Sequence, residues 1–258
     1  MNELRKFVKN VLRCSGLVDN YIINVVKYSS KNIRIGGYVL GLFSSSLTEI
    51  LARVIVLFTA ISVHEFAHGF IAYKLGDPTA KYSGRLTLNP LSHLDPIGAI
   101  CMALFGFGWA KPVPVNPMYF KDRKRDNALV ALAGPVSNVI LAFVSTVLTA
   151  VYYVFVLMNY TNFITLFIYT VLIQLAVINI SFAVFNLLPF PPLDGSKILG
   201  AFLSYESYNK LLMYERFGFP ILLLLSFSGI LGRILGLFIN PLINLWEICL
   251  NGLITIFI

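Results

Sequence analysis

Two of the chain's three histidines, His64 and His68, stand four residues apart with Glu65 between them, in the apolar run LFTAISVHEFAHGFIAY from Leu57 to Tyr73. On a helix, positions i and i+4 differ by about 40° of net rotation and about 6 Å of rise, so both imidazoles project together and can hold one metal ion. Glu65 lies about 100° round from His64 and about 60° from His68 on the other side. It can reach a water at that metal without being a ligand itself. This is the HExxH arrangement, two imidazole nitrogens for zinc and a carboxylate to take a proton from water.

A pentapeptide with two free positions also arises by chance, usually on a solvated helix. Here it sits where solvation is absent. An ionised glutamate in a membrane helix costs about 3 kcal/mol even on lenient insertion scales. A metal removes the penalty of three polar side chains on one arc, which favours Zn2+, one per chain.

The elements that must position these residues are apolar throughout. The chain has 258 residues, 57% hydrophobic and 12% charged, with mean hydropathy +0.78. Soluble domains carry about 25% charged residues, so the composition indicates a polytopic membrane protein. The net charge of +8 does not indicate a nucleic-acid partner. Arg5, Lys6, Lys9, Arg13, Lys27, Lys31 and Arg34 precede the first apolar span, and eight more basic residues flank the next turn, a juxtamembrane pattern that suits the lipid bilayer. Cys14, Cys101 and Cys249 are far apart and form neither a disulfide framework nor a second zinc motif.

The expected fold is an all-α polytopic membrane protein with a three-helix catalytic transmembrane core, a short re-entrant or β-hairpin insertion, and additional C-terminal helices. Residues 1–46 read as a basic tail suited to a membrane surface, ending in a short apolar piece, Ile35 to Ser46, that suits an edge strand or a re-entrant turn. Residues 47–203 read as the core and 204–258 as C-terminal transmembrane helices. The first span runs from Leu47 to Tyr73 and is closed by Gly76, Asp77 and Pro78. Alternation through Arg85, Leu86, Thr87 and Leu88 predicts a short strand. Pro96 to Gly108 is too short to cross a bilayer and predicts a re-entrant segment. Asn127 to Met158 and Ile164 to Leu188 are the second and third spans. The turn between these two has no Lys or Arg, so the basic loops and the metal site face the cytoplasm. Two last apolar runs, Phe217 to Leu231 and Ile234 to Ile258, predict a hairpin broken at Gly232 and Arg233.

Catalytic zinc usually takes three protein ligands and leaves a position open. Asp194 follows the proline-broken end of the third span, and two crossings return it to the face where the first span ends. A plain Asp-Gly turn is the competing explanation. His93, Glu206 and Glu215 are weaker candidates for the same role. Asn138 and Asn186 read as cavity-lining amides or as interhelical hydrogen bonds. Thr87, Asn89 and His93 are further candidates to line a substrate path, with residues Gly84 to Leu88 pairing along an extended substrate.

VHEFAH and a downstream LPFPPLDG, with NPLSHLDP, GWAKPVPVNP and ALAGPVSN between them, resemble the site-2 protease family of intramembrane zinc metalloproteases. The likeness is closest to its compact bacterial and archaeal branch without an inserted PDZ domain. It covers roughly Ile61 to Leu199. The resemblance implies His64, His68 and Asp194 as ligands and Glu65 as general acid/base. It also implies a partly unwound transmembrane segment of a membrane protein as substrate, in a prokaryotic cell membrane; oligomeric state is not legible. Two other classes compete. A transporter or inactive scaffold would use the same residues as an ion path, but it should show paired repeats, which are absent, and would leave Glu65 without a purpose. A membrane-anchored zincin with an aqueous site would take a downstream Glu as third ligand.

Overall fold

In the computed structural model, which describes residues 47–96, 98 and 110–257, the chain is helical and holds no strand among the described residues. The first helix, α1 (Leu47–Lys74), is 28 residues long, or about 42 Å against about 30 Å of bilayer hydrocarbon. Glu49 in its first turn and Lys74 in its last complement the helix dipole. It stops in a Schellman turn: Asp77 N–H reaches Ala72 O at 2.9 Å and Gly76 N–H reaches Tyr73 O at 3.2 Å. Gly76 supplies the required left-handed residue, at φ +105°.

Two one-turn helices follow, α2 (Thr79–Tyr82) and α3 (Pro90–His93). The helix α4 (Arg123–Tyr152) is capped by Asp122, whose carboxylate accepts from Lys124 N and Arg125 N. A π-helical turn, Tyr153–Leu157, extends it. The helix α5 (Phe163–Leu187) opens with a reciprocal capping box between Asn162 and Thr165. Then come α6 (Asp194–Phe202), α7 (Tyr205–Phe227) and α8 (Ile230–Phe257).

The central helix is α4, which packs on α1, α5, α6 and α8. The core lies where Ala150 and Leu157 meet Tyr169 and Ile173 of α5 and Ile239 and Trp246 of α8. Trp246 Nε1 also donates to Thr146 Oγ1 at 2.8 Å, which pins α8 to α4. Among the described residues four helical stretches are long and apolar enough to cross a membrane: Thr48–Lys74, Arg123–Leu157, Phe163–Leu187 and Ile230–Phe257. Only 28–39% of the residues in their most apolar windows are buried within the protein. The remainder, such as Phe143, Phe155 and Leu237, suits a hydrocarbon surround.

The all-α polytopic expectation holds. Two details differ. Residues 85–88 are irregular, with a bend at 86–87 and no strand, and Arg85 turns its guanidinium to the carbonyls of Lys111 and Pro112. The described bridge between extended segments is the isolated pair Leu94 with Ala110. The C-terminal break falls at Ser228 and Gly229, with Gly229 at φ +72°, while Gly232 is buried inside α8. Only α8 of this last pair is among the membrane-crossing candidates. The tail 1–46, including Ile35 to Ser46, and most of the re-entrant segment Pro96 to Gly108 lie outside the described residues.

Candidate metal centre

His64 and His68 occupy the last third of α1, about 15 and 9 Å along the axis from its C-terminal end. Both are buried. The chain then crosses as α4 and α5, and the LPFPPLD break delivers Asp194 to the first turn of α6, where the helix N-terminus favours a carboxylate. Gly195 is what lets α6 start there: a Cβ on it would stand 2.3 Å from the carbonyl oxygens of Leu187 and Leu188.

The three side chains converge. The two Nε2 atoms are 3.0 Å apart, and each lies 3.2 Å from Asp194 Oδ2. The hydrogen bonds on the far side of each ring decide what these atoms are. His68 Nδ1 is 2.7 Å from Val130 O, a carbonyl that can only accept, so Nδ1 carries the proton. For His64 the same conclusion comes through two amides. Asn179 Nδ2 donates to Leu175 O at 2.7 Å, so Asn179 Oδ1 accepts from Asn138 Nδ2 at 2.7 Å, and Asn138 Oδ1 accepts from His64 Nδ1 at 2.6 Å. With neutral rings, both Nε2 atoms present lone pairs.

Three acceptors therefore face one another, and buried Asp194 Oδ2 has no hydrogen-bond donor. Such a triangle suits a cation at its centre. Tetrahedral zinc with N and O ligands at about 2.0–2.1 Å has ligand edges of about 3.3 Å, close to the 3.0 and 3.2 Å found. Residues and spacing fit zinc. Among the described residues this is the one cluster of His, Cys, Asp or Glu with metal-ligand spacing.

Gly134 of α4 closes the back of the site. A Cβ there would lie 2.5 Å from Cε1 of both imidazoles and 2.6 Å from His68 Nε2. On the open side, a cavity of about 170 Å³ is lined by the three converging residues together with Glu65, Asn186 and Lys197. Glu65 Oε2 accepts from Val113 N–H at 2.9 Å, which orients the carboxylate and leaves Oε1 to the cavity. Pro112, Val113 and Val115 form the facing wall. That wall is held at its far end by Asp77, which is fully buried. Its Oδ2 accepts from Asn116 N–H at 2.7 Å, and its Oδ1 accepts from the backbone and hydroxyl of Thr79.

Of the residues expected to line a substrate path, Asn186 does so. Asn138 does not: it is fully buried between α1 and α5 and orients His64. Thr87, Asn89 and His93 form a separate turn, with His93 Nε2 donating to Thr87 O at 2.8 Å and Asn89 capping α3. His93 is not near the metal triangle. Glu206 pairs with Lys210 at 2.8 Å on the exposed start of α7, and Glu215 lies farther along that helix. Asn179, Val113, Asp77 and Lys197 were not singled out as site residues by sequence. The hint for Asn179 is an amide in a mostly apolar span that also carries Gln174 and Asn186.

The model of Peptidase family M50 matches residues 155–225, which include Asp194 but not the histidines. Relatives extend the match. YwhC of Bacillus subtilis, named as a zinc metalloprotease, is 44% identical over 175 residues, covering 67% of this chain and 78% of its own. Rip2 of Mycolicibacterium smegmatis, named likewise, is 29% identical over 187 residues, covering 67% of this chain and 66% of its own. MJ0611 of Methanocaldococcus jannaschii, also so named, is 29% identical over 159 residues, covering 60% and 72%. No solved structure matches the chain with significance. A relative this similar over most of its length, together with four helices among the described residues long and apolar enough to cross a membrane, makes the chain a multi-pass membrane protein that belongs to Peptidase family M50, the site-2 protease metalloproteases.

Proposed function

We propose that this protein is an intramembrane zinc endopeptidase that hydrolyses peptide bonds within or near transmembrane segments of other membrane proteins. The observation that carries this is the convergence of His64 Nε2, His68 Nε2 and an Asp194 carboxylate oxygen near the end of a helix long and apolar enough to cross a membrane, beside Glu65, whose Oε2 alone is taken up by Val113 N–H.

Zinc bound there supplies Lewis-acid chemistry, polarising the scissile carbonyl and acidifying water. His64, His68 and Asp194 would hold it, with Asn138 and Val130 O fixing the tautomers of the two rings. Glu65 Oε1 takes the water proton and returns it to the leaving amine, Oε2 staying on Val113 N–H. Asn186 and Lys197 offer donors to substrate carbonyls from the opposite wall. Peptide bonds in an intact helix are shielded by their own hydrogen bonds, so the substrate segment enters extended. The Lys and Arg residues between α1 and α4 favour a cytoplasmic opening, and the bacterial and archaeal relatives favour a prokaryotic membrane.

The test is the purified full chain beside Glu65→Gln and Asp194→Ala, with zinc stoichiometry and cleavage of a generic transmembrane substrate measured on each. Glu65→Gln keeps one zinc and loses cleavage by 10²- to 10⁴-fold; Asp194→Ala loses both. Full cleavage by Glu65→Gln, or full zinc in Asp194→Ala, contradicts the reading.

A further inference from the structure

The helix α8 buries Leu235, Ile239, Ile243, Trp246 and Leu250 against α4 and α5, and the Trp246 bond to Thr146 fixes its rotation. About 120° round from that face runs a second stripe: Arg233, Leu237, Asn240, Asn244, Glu247 and Asn251. Their spacing alternates four and three after Arg233, the a/d repeat of a helix–helix seam. All are exposed except Glu247, which is half-buried.

This stripe is polar where an outward face should be apolar. Asn240, Asn244 and Glu247 fall in the middle turns of a membrane-crossing candidate. None of the four polar side chains from Asn240 to Asn251 makes a side-chain hydrogen bond or ion pair among the described residues. Pro241 adds to the need, because it removes the N–H that would serve the carbonyl of Leu237 in the same stripe. Lipid offers these groups nothing.

We infer that this face of α8 is the contact between two copies of the chain in the membrane, a parallel helix pair zipped by asparagines. Two copies share one topology, so their α8 helices run parallel and each seam residue faces itself across a two-fold axis. Asparagine is the side chain suited to that: its amide donates and accepts, so Asn240, Asn244 and Asn251 each complete a pair with their own copy. Amides of the second copy also donate to Glu247. A partner of different sequence would need matching donors and acceptors at the three asparagine positions; a second copy has them by symmetry, and its Asn244 and Asn251, one turn to either side of Glu247, carry the donors that the carboxylate needs.

The experiment uses the full chain in proteoliposomes, with Cys14, Cys101 and Cys249 changed to Ser and one cysteine introduced. Under copper-phenanthroline oxidation, Asn244→Cys forms a disulfide-linked dimer, while Leu245→Cys, exposed about 100° away, does not. In the cysteine-free chain, changing Asn240, Asn244 and Asn251 together to Leu lowers the dimer fraction at least tenfold at equal protein-to-lipid ratio. Zinc content, unchanged, shows that the fold persists. The inference is overturned if Asn244→Cys stays monomeric, if Leu245→Cys crosslinks as readily, or if the triple variant dimerises like its parent.

Discussion

Asn138 Oδ1 accepts the Nδ1 proton of His64 at 2.6 Å, a bond between α4 and α1 with neither residue open to water. It turns Nε2 toward His68 and Asp194 and ties the imidazole to the helix that carries Gly134. Partners of this kind are worth 10- to 100-fold in metal affinity when removed. Asn138→Ala is expected to weaken zinc binding by that factor, and Asn179→Ala by less, since Asn138 keeps Ala60 O at 3.4 Å. Competition titration with a zinc chelator measures both.

Gly134→Ala is expected to be more damaging than its single methyl suggests. The added carbon would sit 2.5 Å from both imidazoles, and neither ring can retreat without leaving its Nδ1 bond. Zinc content and cleavage should both fall at least tenfold, with the α-helical circular dichroism signal retained. Normal zinc and activity would mean that the α1–α4 approach is looser than described.

Asp77 holds the wall opposite the triangle through Asn116 and Thr79. Asp77→Ala leaves those N–H groups without acceptors, at a cost of about 1–3 kcal/mol. Protease nicking near residues 111–117 should accelerate, as should thermal unfolding, while zinc stays bound.

Removal of zinc leaves three acceptors facing one another. With free zinc a thousandfold above Kd, the bound state gains about 4 kcal/mol of stability. Chelation is therefore expected to lower Tm by several degrees, and zinc but not magnesium restores it. Protons compete for the same Nε2 and carboxylate atoms, so affinity falls as pH drops. A chelator that left Tm unchanged at neutral pH would argue against a metal among these residues.

Much of the site could be read from residue spacing because it depends on short periods. His64 and His68 must share a helix face once the run is helical, and the proline break before Asp194 marks an irregular backbone that lipid alone would not tolerate. What depended on tertiary packing was not legible. Asn138 reads as a cavity amide or an interhelical hydrogen bond, with nothing local to show that His64 is its partner, and nothing local shows that Gly134 lies against both imidazoles. The strand expected at Arg85 to Leu88 rested on four alternating residues, too few to outweigh a guanidinium with two carbonyls in reach. The C-terminal break was placed at the wrong glycine because Gly229 and Gly232 look alike in sequence; only Gly229 takes a positive φ.

The most direct test of the central claim is zinc-edge X-ray absorption on the purified chain at neutral pH. One zinc per chain is expected, with nitrogen and oxygen neighbours at about 2.0–2.1 Å, the outer-shell pattern of two imidazoles, and no sulfur. Absence of zinc, a sulfur shell, or a spectrum without imidazole scattering would contradict a metal held by His64, His68 and Asp194.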